Sequence, residues 1–293
     1  MTRETFKKMT ENALVFLDGA TGTNLMQAGL PKGVCSEQWA LEHPSVIRTL
    51  QTSYLEAGSQ ILYAPTFSAN ALSLESFGLQ HEVRRINTEL VALSKELAGG
   101  NALVAGDITT VGRPMSPLGD LEYHELFSVY REQVQALYEA GADLIVAETL
   151  MGVSEAIVAL EAVQSVCSLP VICTLSLDTD GRAFFDGDGL EAVETLQELG
   201  ADAVGVNCSF GPDQLVSLIQ NMSAIASVPI VAKPNAGLPF IDETGTPTYN
   251  MDPESFSRHM QALVDAGATI VGGCCGTTAE HIAQMKKTLI LNR

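Results

Sequence analysis

The residues best suited to chemistry in this chain are cysteines. Cys274 and Cys275 are adjacent, lie between Gly272-Gly273 and Gly276, and follow the apolar run Thr269-Ile270-Val271. Cys208 stands in Val206-Asn207-Cys208-Ser209, at the end of a second apolar run that starts at Ala203. Only a fold could bring the two stretches together. Thiolate is a soft donor that suits zinc, and catalytic zinc commonly takes three protein ligands and keeps a further position open. Cys208, Cys274 and Cys275 therefore read as three thiolates for one zinc ion. Neighbouring residues on a strand point to opposite faces, so both members of the pair can reach one ion only beyond the strand end. The flanking glycines permit such a turn. A vicinal disulfide, or two small buried side chains, are the other uses of such a pair.

The elements that must position these residues show as a repeat. A helix end, a glycine and a short apolar run recur at residues 56–62, 139–145, 198–204 and 265–271. Glycine just past a helix terminus is the common left-handed cap. The apolar run after it reads as a fully buried parallel strand. Further runs at 14–17, 102–105, 170–175 and 229–232 complete a set of eight. Segments with helical spacing lie between them, such as Val129, Val134, Leu137 and Tyr138. Asp252-Pro253-Glu254 reads as a helix start, and Thr277 to Glu280 as a capping box. Eight strand–helix units predict an α/β fold of the (β/α)8 barrel type, a single domain over residues 1–293. An open, doubly wound sheet is the alternative. Loops at 112–123 and 234–250 are long enough to cover a barrel mouth.

In such barrels the active site lies at the carboxyl ends of the strands. The groups that follow the runs are Asp18, Thr66, Asp107, Glu148, Asn207 with Cys208, Asn235, and Cys274 with Cys275. The sixth and eighth strands flank the seventh, so one ion can bridge them. Asp18 and Glu148 suit recognition of a cationic amine by charge-assisted hydrogen bonds. Asp18 equally suits a helix cap. The turn Gly19-Ala20-Thr21-Gly22-Thr23 offers backbone amides that could hold a carboxylate. It lacks the lysine of a phosphate loop. Cys167 and Cys173 read as core, Cys35 as a loop residue without a partner, and His281 as a solvated helix residue. Trp39 reads as packing near the mouth, and Met115 and Phe210 by position as pocket-lining residues.

Composition excludes several classes. Hydrophobic residues make up 46% of the 293, enough for a large core. No stretch of about 18 apolar residues could span a membrane, and residues 1–11 lack the apolar region of a signal peptide. The chain is far longer than a disulfide-stapled secreted domain, so its six cysteines point to a reducing cytoplasm. A net charge of −19 would repel nucleic acid.

With these residues in place the chain resembles the homocysteine S-methyltransferase family. The resemblance rests on residues 18–23 (Asp-Gly-Ala-Thr-Gly-Thr), Gly106-Asp107, 207–212 (Asn-Cys-Ser-Phe-Gly-Pro), 234–239 (Pro-Asn-Ala-Gly-Leu-Pro) and 272–278 (Gly-Gly-Cys-Cys-Gly-Thr-Thr). It runs over essentially the whole chain, and the cysteine stretches look most like the homocysteine-binding module of cobalamin-dependent methionine synthases, less like the betaine or S-methylmethionine branches. The resemblance implies a zinc barrel with Cys208, Cys274 and Cys275 as ligands. It implies that Asp18 and Glu148 hold the amino group of homocysteine and that amides at Gly19 and Ala20 hold its carboxylate. Thr66, Asp107, Asn207 and Asn235 would line the pocket. The implied donor is methylcobalamin or another methyl-corrinoid, supplied by a corrinoid protein or a linked cobalamin module. The chain departs from the family pattern at Ala64-Pro65-Thr66-Phe67, at Ile108-Thr109-Thr110 and at residues 183–186 (Ala-Phe-Phe-Asp). It ends at Arg293, where a methionine synthase would continue into folate and cobalamin modules. It is thus expected to be either an excised module or a free-standing protein.

Overall fold

The computed structural model describes residues 1–11, 13–241 and 247–291. Its strands are β1 (Val15–Phe16), β2 (Ile61–Tyr63), β3 (Leu103–Thr109), β4 (Leu144–Leu150), β5 (Val171–Leu175), β6 (Ala203–Asn207), β7 (Ile230–Lys233), the pair β8 (Phe240–Ile241) and β9 (Pro247–Thr248), and β10 (Ala268–Val271). Eight of them form one parallel sheet in the order β1-β10-β7-β6-β5-β4-β3-β2. The sheet closes on itself: Leu17 bridges in parallel to Ile61, and the Gln60 N–H donates to the Phe16 carbonyl at 2.7 Å. The chain is therefore a (β/α)8 barrel, and the open-sheet alternative falls.

The repeated joints work as their sequence suggests. Gly58, Gly141, Gly200 and Gly267 all have positive φ, between 89° and 115°. Each turns the chain out of a helix and into β2, β4, β6 or β10, a conformation that is easy only for glycine. Side chains then alternate between two cores. Val15, Leu17, Ile61, Tyr63, Val146, Ile172, Val231 and Ile270 fill the barrel interior. Phe16, Leu62, Ile145, Cys173, Val204 and Val271 pack outward beneath the helices. Both faces are apolar because both are covered, each fully buried large side chain contributing about 1.5–3 kcal/mol.

Two strands run further than their apolar runs. β3 continues through Asp107 to Thr109, and β4 through Glu148 to Leu150, with Asp107 paired to Val146 and Thr109 to Glu148 in the ladder. Asp107, Glu148 and Asn207 thus lie within strands rather than past their ends. The polar first segment forms a helix, Arg3–Glu11, whose buried residues are Phe6 and Thr10. Phe6 joins the interior core, and Arg3 pairs with Asp202 at 2.9 Å, just before β6, so this helix covers the amino-terminal end of the barrel.

Three smaller expectations are revised. The loop after β7 contains the hairpin β8–β9. The last helix begins at Ala279, and Thr277 caps nothing: its hydroxyl donates to the Cys274 carbonyl at 2.7 Å. His281 is buried, not solvated; one ring nitrogen meets the Met251 carbonyl at 2.9 Å and the other the Thr278 hydroxyl at 3.0 Å. Among the described residues no helix is long and apolar enough to cross a membrane.

Close approach of β6 to β7 depends on Gly205, where a Cβ would collide with the Val231 carbonyl. Gly205→Ala should lower stability by roughly 2–3 kcal/mol, read from urea unfolding. An unchanged midpoint would contradict this tight packing.

Candidate metal centre and acceptor cavity

Three backbone hydrogen bonds bring the cysteines together through the segment after β7. The Cys208 N–H donates to the Lys233 carbonyl at 3.2 Å and the Cys274 N–H to the Pro234 carbonyl at 2.7 Å, while the Cys275 carbonyl accepts from the Ala236 N–H at 2.9 Å. Cys208 takes a left-handed backbone, φ 62°, unusual for a residue with a side chain. That turn bends its sulfur away from the line of β6. The Asn235 side-chain amide donates to the Cys208 carbonyl and braces the turn. Gly276, φ 81°, has no room for a Cβ, which would run into the Tyr249 ring, and the Tyr249 hydroxyl donates to the Cys275 sulfur.

The three sulfurs lie within 4.8 Å of one another, and Cys208 Sγ is 3.6 Å from Cys275 Sγ. Tetrahedral zinc with sulfur at about 2.3 Å requires sulfurs about 3.8 Å apart. The trio therefore fits one such ion after small side-chain shifts. Hydrogen bonds from the thiols of Cys208 and Cys274 push the Cys275 pKa well below the usual thiol range. Cys208 is pushed well up by the same contacts.

Beside the trio is a cavity of about 170 Å³, lined by Cys208, Cys274 and Cys275, by the turn from Gly19 to Gly22, and by Tyr63, Asp107, Glu148 and Lys233. Lys233 is the residue that sequence reasoning missed. It is buried, its Nζ lies 3.6 Å from Glu148 Oε2, and it sits 4.7 Å above the Tyr63 ring. The signal was present: Lys233 lies two residues after the inward-facing Val231, so strand alternation turns it inward as well. Glu37 was also missed. It lines the cavity and is buried, accepting from the Ser68 N–H at 2.8 Å and the Ser36 hydroxyl at 2.9 Å.

The carboxylates here are costly to ionise. Burial pushes Asp18 up to about 7, with Lys233 and the Tyr63 N–H pulling the other way. Burial also pushes Glu148 up to about 7, opposed by Lys233. Asp107 is raised well above the carboxylate range by burial and then by Glu148. Burial alone would lower the Lys233 pKa, but Glu148, Cys274 and Asp18 raise it well above normal, so the ammonium stays charged.

The remaining expected site residues divide by what they touch. Asn207 is buried with both ends of its amide in use. Its Oδ1 accepts from the Thr149 N–H at 2.7 Å and the Thr174 hydroxyl at 2.8 Å, and its Nδ2 meets Thr149 Oγ1 at 2.7 Å and Glu148 Oε2 at 3.3 Å. Thr66 is buried, with its hydroxyl bonded to the Asp107 carbonyl and N–H at 2.8 and 3.1 Å. The Ala20 N–H is donated to Thr277 Oγ1 at 3.0 Å. Asp18 Oδ2 accepts from the Tyr63 N–H at 2.8 Å, and its Oδ1 is buried with no hydrogen-bond partner among the described residues. Cys173 and Trp39 are buried as expected, Trp39 stacked on His43. Cys35 has a partner after all, Glu37 at 3.5 Å. Met115 and Phe210 do not line this cavity; both pack against the outer core.

The sequence model of the homocysteine S-methyltransferase family matches residues 15–289. The chain belongs to that family. Among curated proteins it is similar to the methionine synthases of Mycobacterium leprae (strain TN) and Mycobacterium tuberculosis (strain ATCC 25618 / H37Rv), 27% identical to each over 286 residues. Those matches cover 92% of this chain but only 24% of each relative, so the chain spans about a quarter of their length. Among solved structures it resembles the homocysteine methyltransferase MmuM from Escherichia coli. The metallated form superposes with a TM-score of 0.77 at 21% identity, covering 96% of this chain and 98% of that one. The oxidized form gives 0.76, covering 94% and 95%. At such identity the likeness establishes the barrel, and the family match establishes a methyltransferase relationship.

The raised carboxyls have a consequence for stability. Asp18 ordinarily titrates near 3.8 and here near 7, so the folded chain holds this proton more tightly than the unfolded chain. The stabilisation is complete below the unfolded value and is lost as pH rises through the folded one. Metal-free Asp18→Asn should therefore lose about 2–4 kcal/mol less than the parent between roughly pH 4 and 8, read from urea unfolding across that range. Parallel curves would contradict it.

Proposed function

We propose that this barrel is a zinc-dependent methyltransferase that presents the thiol of homocysteine as a thiolate and methylates it to methionine. The observation that carries the reading is the trio Cys208, Cys274 and Cys275, gathered within reach of one ion at the edge of a cavity that also holds buried carboxylates. When bound, zinc would supply Lewis acidity, so that a thiol entering its open position gives up its proton near neutral pH.

The protein's own part is binding and placement. The three cysteine side chains would hold the metal and make the centre electron-rich. Glu148 and Asp107 supply the negative side of the cavity for the acceptor's ammonium group, with Asp18 buried behind the cavity wall, and the turn at Gly19 and Ala20 borders the space for its carboxylate. Thr66, Asn207 and Asn235 act behind these groups: Thr66 fixes Asp107, Asn207 fixes Glu148, and Asn235 fixes Cys208. The acceptor sulfur then forms its bond to the methyl carbon as the donor's bond to that carbon breaks. No general base is needed at the methyl group.

The proposed donor is methylcobalamin or another methyl-corrinoid, delivered by a corrinoid protein or a linked cobalamin module. The cysteine and Pro-Asn-Ala-Gly-Leu-Pro motifs support this, as does similarity to two methionine synthases. A free thiol trio suits a reducing compartment such as the cytoplasm.

The test is methyl transfer from methylcobalamin to homocysteine with and without added zinc. Cys208→Ser and Cys275→Ser should weaken zinc binding by more than the roughly 10–100-fold that follows loss of an outer-shell partner. Metal analysis and turnover should fall together. Full zinc in both variants would overturn the reading. Turnover only with S-methylmethionine or betaine would reassign the donor.

A further inference from the structure

Glu37 lines the cavity as a buried carboxylate, yet takes no part in holding the acceptor's charged groups or the metal. It comes from the helix Ser36–Glu42, outside the barrel strands. That helix joins the segments after β1 and β2 in an apolar cluster of its own, which includes Leu25, Trp39, Ala69 and Leu74. A charge in such a place is costly to bury unless its oxygens are bonded. The oxygens of Glu37 meet that condition: Oε1 accepts from the Ser68 N–H at 2.8 Å, and Oε2 from the Ser36 hydroxyl at 2.9 Å and the Cys35 thiol at 3.5 Å. All three donors are neutral, and only Ser68 lies outside the stretch that carries Glu37. Ser68 follows Phe67, which is half-buried and lines the cavity together with Pro65.

We propose that Glu37 is a positioning residue: by holding the Ser68 N–H it fixes Pro65 and Phe67 as the apolar wall against which the acceptor's carbon chain lies. This rests on the functional reading above, which supplies an amino-acid thiol as the acceptor. The segment after β2 is a loop, and a loop keeps one shape only where its backbone is bonded. Thr66 ties its start, through its hydroxyl to the Asp107 carbonyl and through its carbonyl to Gln133 Nε2, both at 2.8 Å. Asn87 Nδ2 ties its end by donating to the Ala69 carbonyl at 2.8 Å. Glu37 ties the middle, beside Phe67, from a different helix. Without it the Ser68 N–H loses its acceptor, and the peptide next to Phe67 is free to turn. A carboxylate accepts more strongly than a neutral group, which suits a tie that must persist beside a cavity. The placement of this wall acts on a thiol long enough to touch it, and leaves a thiol that reaches only the metal unaffected.

Calorimetric binding of two thiols to the zinc-loaded protein tests this role. One is homocysteine; the other is mercaptoethanol, which can reach the metal but is too short to lie along the wall. The parent should prefer homocysteine. In Glu37→Ala that preference should shrink by roughly tenfold to a hundredfold, the worth of a hydrogen bond to a charged group, with zinc content and mercaptoethanol binding nearly unchanged. Glu37→Gln keeps an acceptor for the Ser68 N–H, and its preference should stay within about threefold of the parent's. Glu37→Leu fills a similar space without an acceptor, and is the second variant should the alanine protein fail to fold. A preference lost equally in Glu37→Gln and Glu37→Ala would assign the negative charge itself to the ligand and overturn the positioning role. A preference kept in every variant would overturn it too, while leaving the functional reading intact. A parent that does not bind homocysteine would overturn both.

Discussion

The arrangement depends on three sulfurs from two distant stretches meeting at one point. β6 and β10 lie on either side of β7, so their ends are separated by a single strand. The segment after β7 closes that gap, because its carbonyls at Lys233 and Pro234 take the N–H groups of Cys208 and Cys274. The placement of the trio is thus written into backbone hydrogen bonds that do not depend on a metal. Barrel closure, the glycine-capped joints and the tight β6–β7 contact at Gly205 all serve that one geometry. A barrel that opened between β1 and β2 would leave the ring without the constraint that sets its radius.

The second feature is charge held in a dry place. Asp18, Asp107, Glu148 and Lys233 are all nearly inaccessible to solvent. Such a set contributes little net stability, since desolvation offsets the attraction between partners. Its use is selectivity. A cavity with more buried acid than buried base favours a cationic group, while the sulfur-lined side favours a thiol. Under the proposed function, an amino-acid thiol satisfies both at once.

Much of this was legible in the sequence, for identifiable reasons. The four helix–glycine–strand joints fixed the barrel, because few residues other than glycine adopt the required φ. The cysteines stood out because adjacent cysteines between glycines have few uses. The roles of Asp18 and Glu148 came from resemblance, since an aspartate after an apolar run could equally cap a helix. The strand ends were misjudged at Asp107 and Glu148, where an apolar run stops but the ladder continues with polar side chains pointing inward. Lys233 escaped notice because lysine is ordinarily a surface residue, and only its register against Val231 reveals that it faces the interior. Thr277 looked like a helix cap and His281 like a solvated helix residue. They serve contacts distant in sequence, to Ala20 and Met251, which local patterning cannot express.

The central claim is that three protein sulfurs leave a place for a fourth from the substrate. X-ray absorption at the zinc edge of the loaded protein addresses it directly. The account predicts three sulfur neighbours at about 2.3 Å and one lighter atom before homocysteine, and four sulfurs after it. A sulfur shell that stays the same when homocysteine is added at saturating concentration would contradict it.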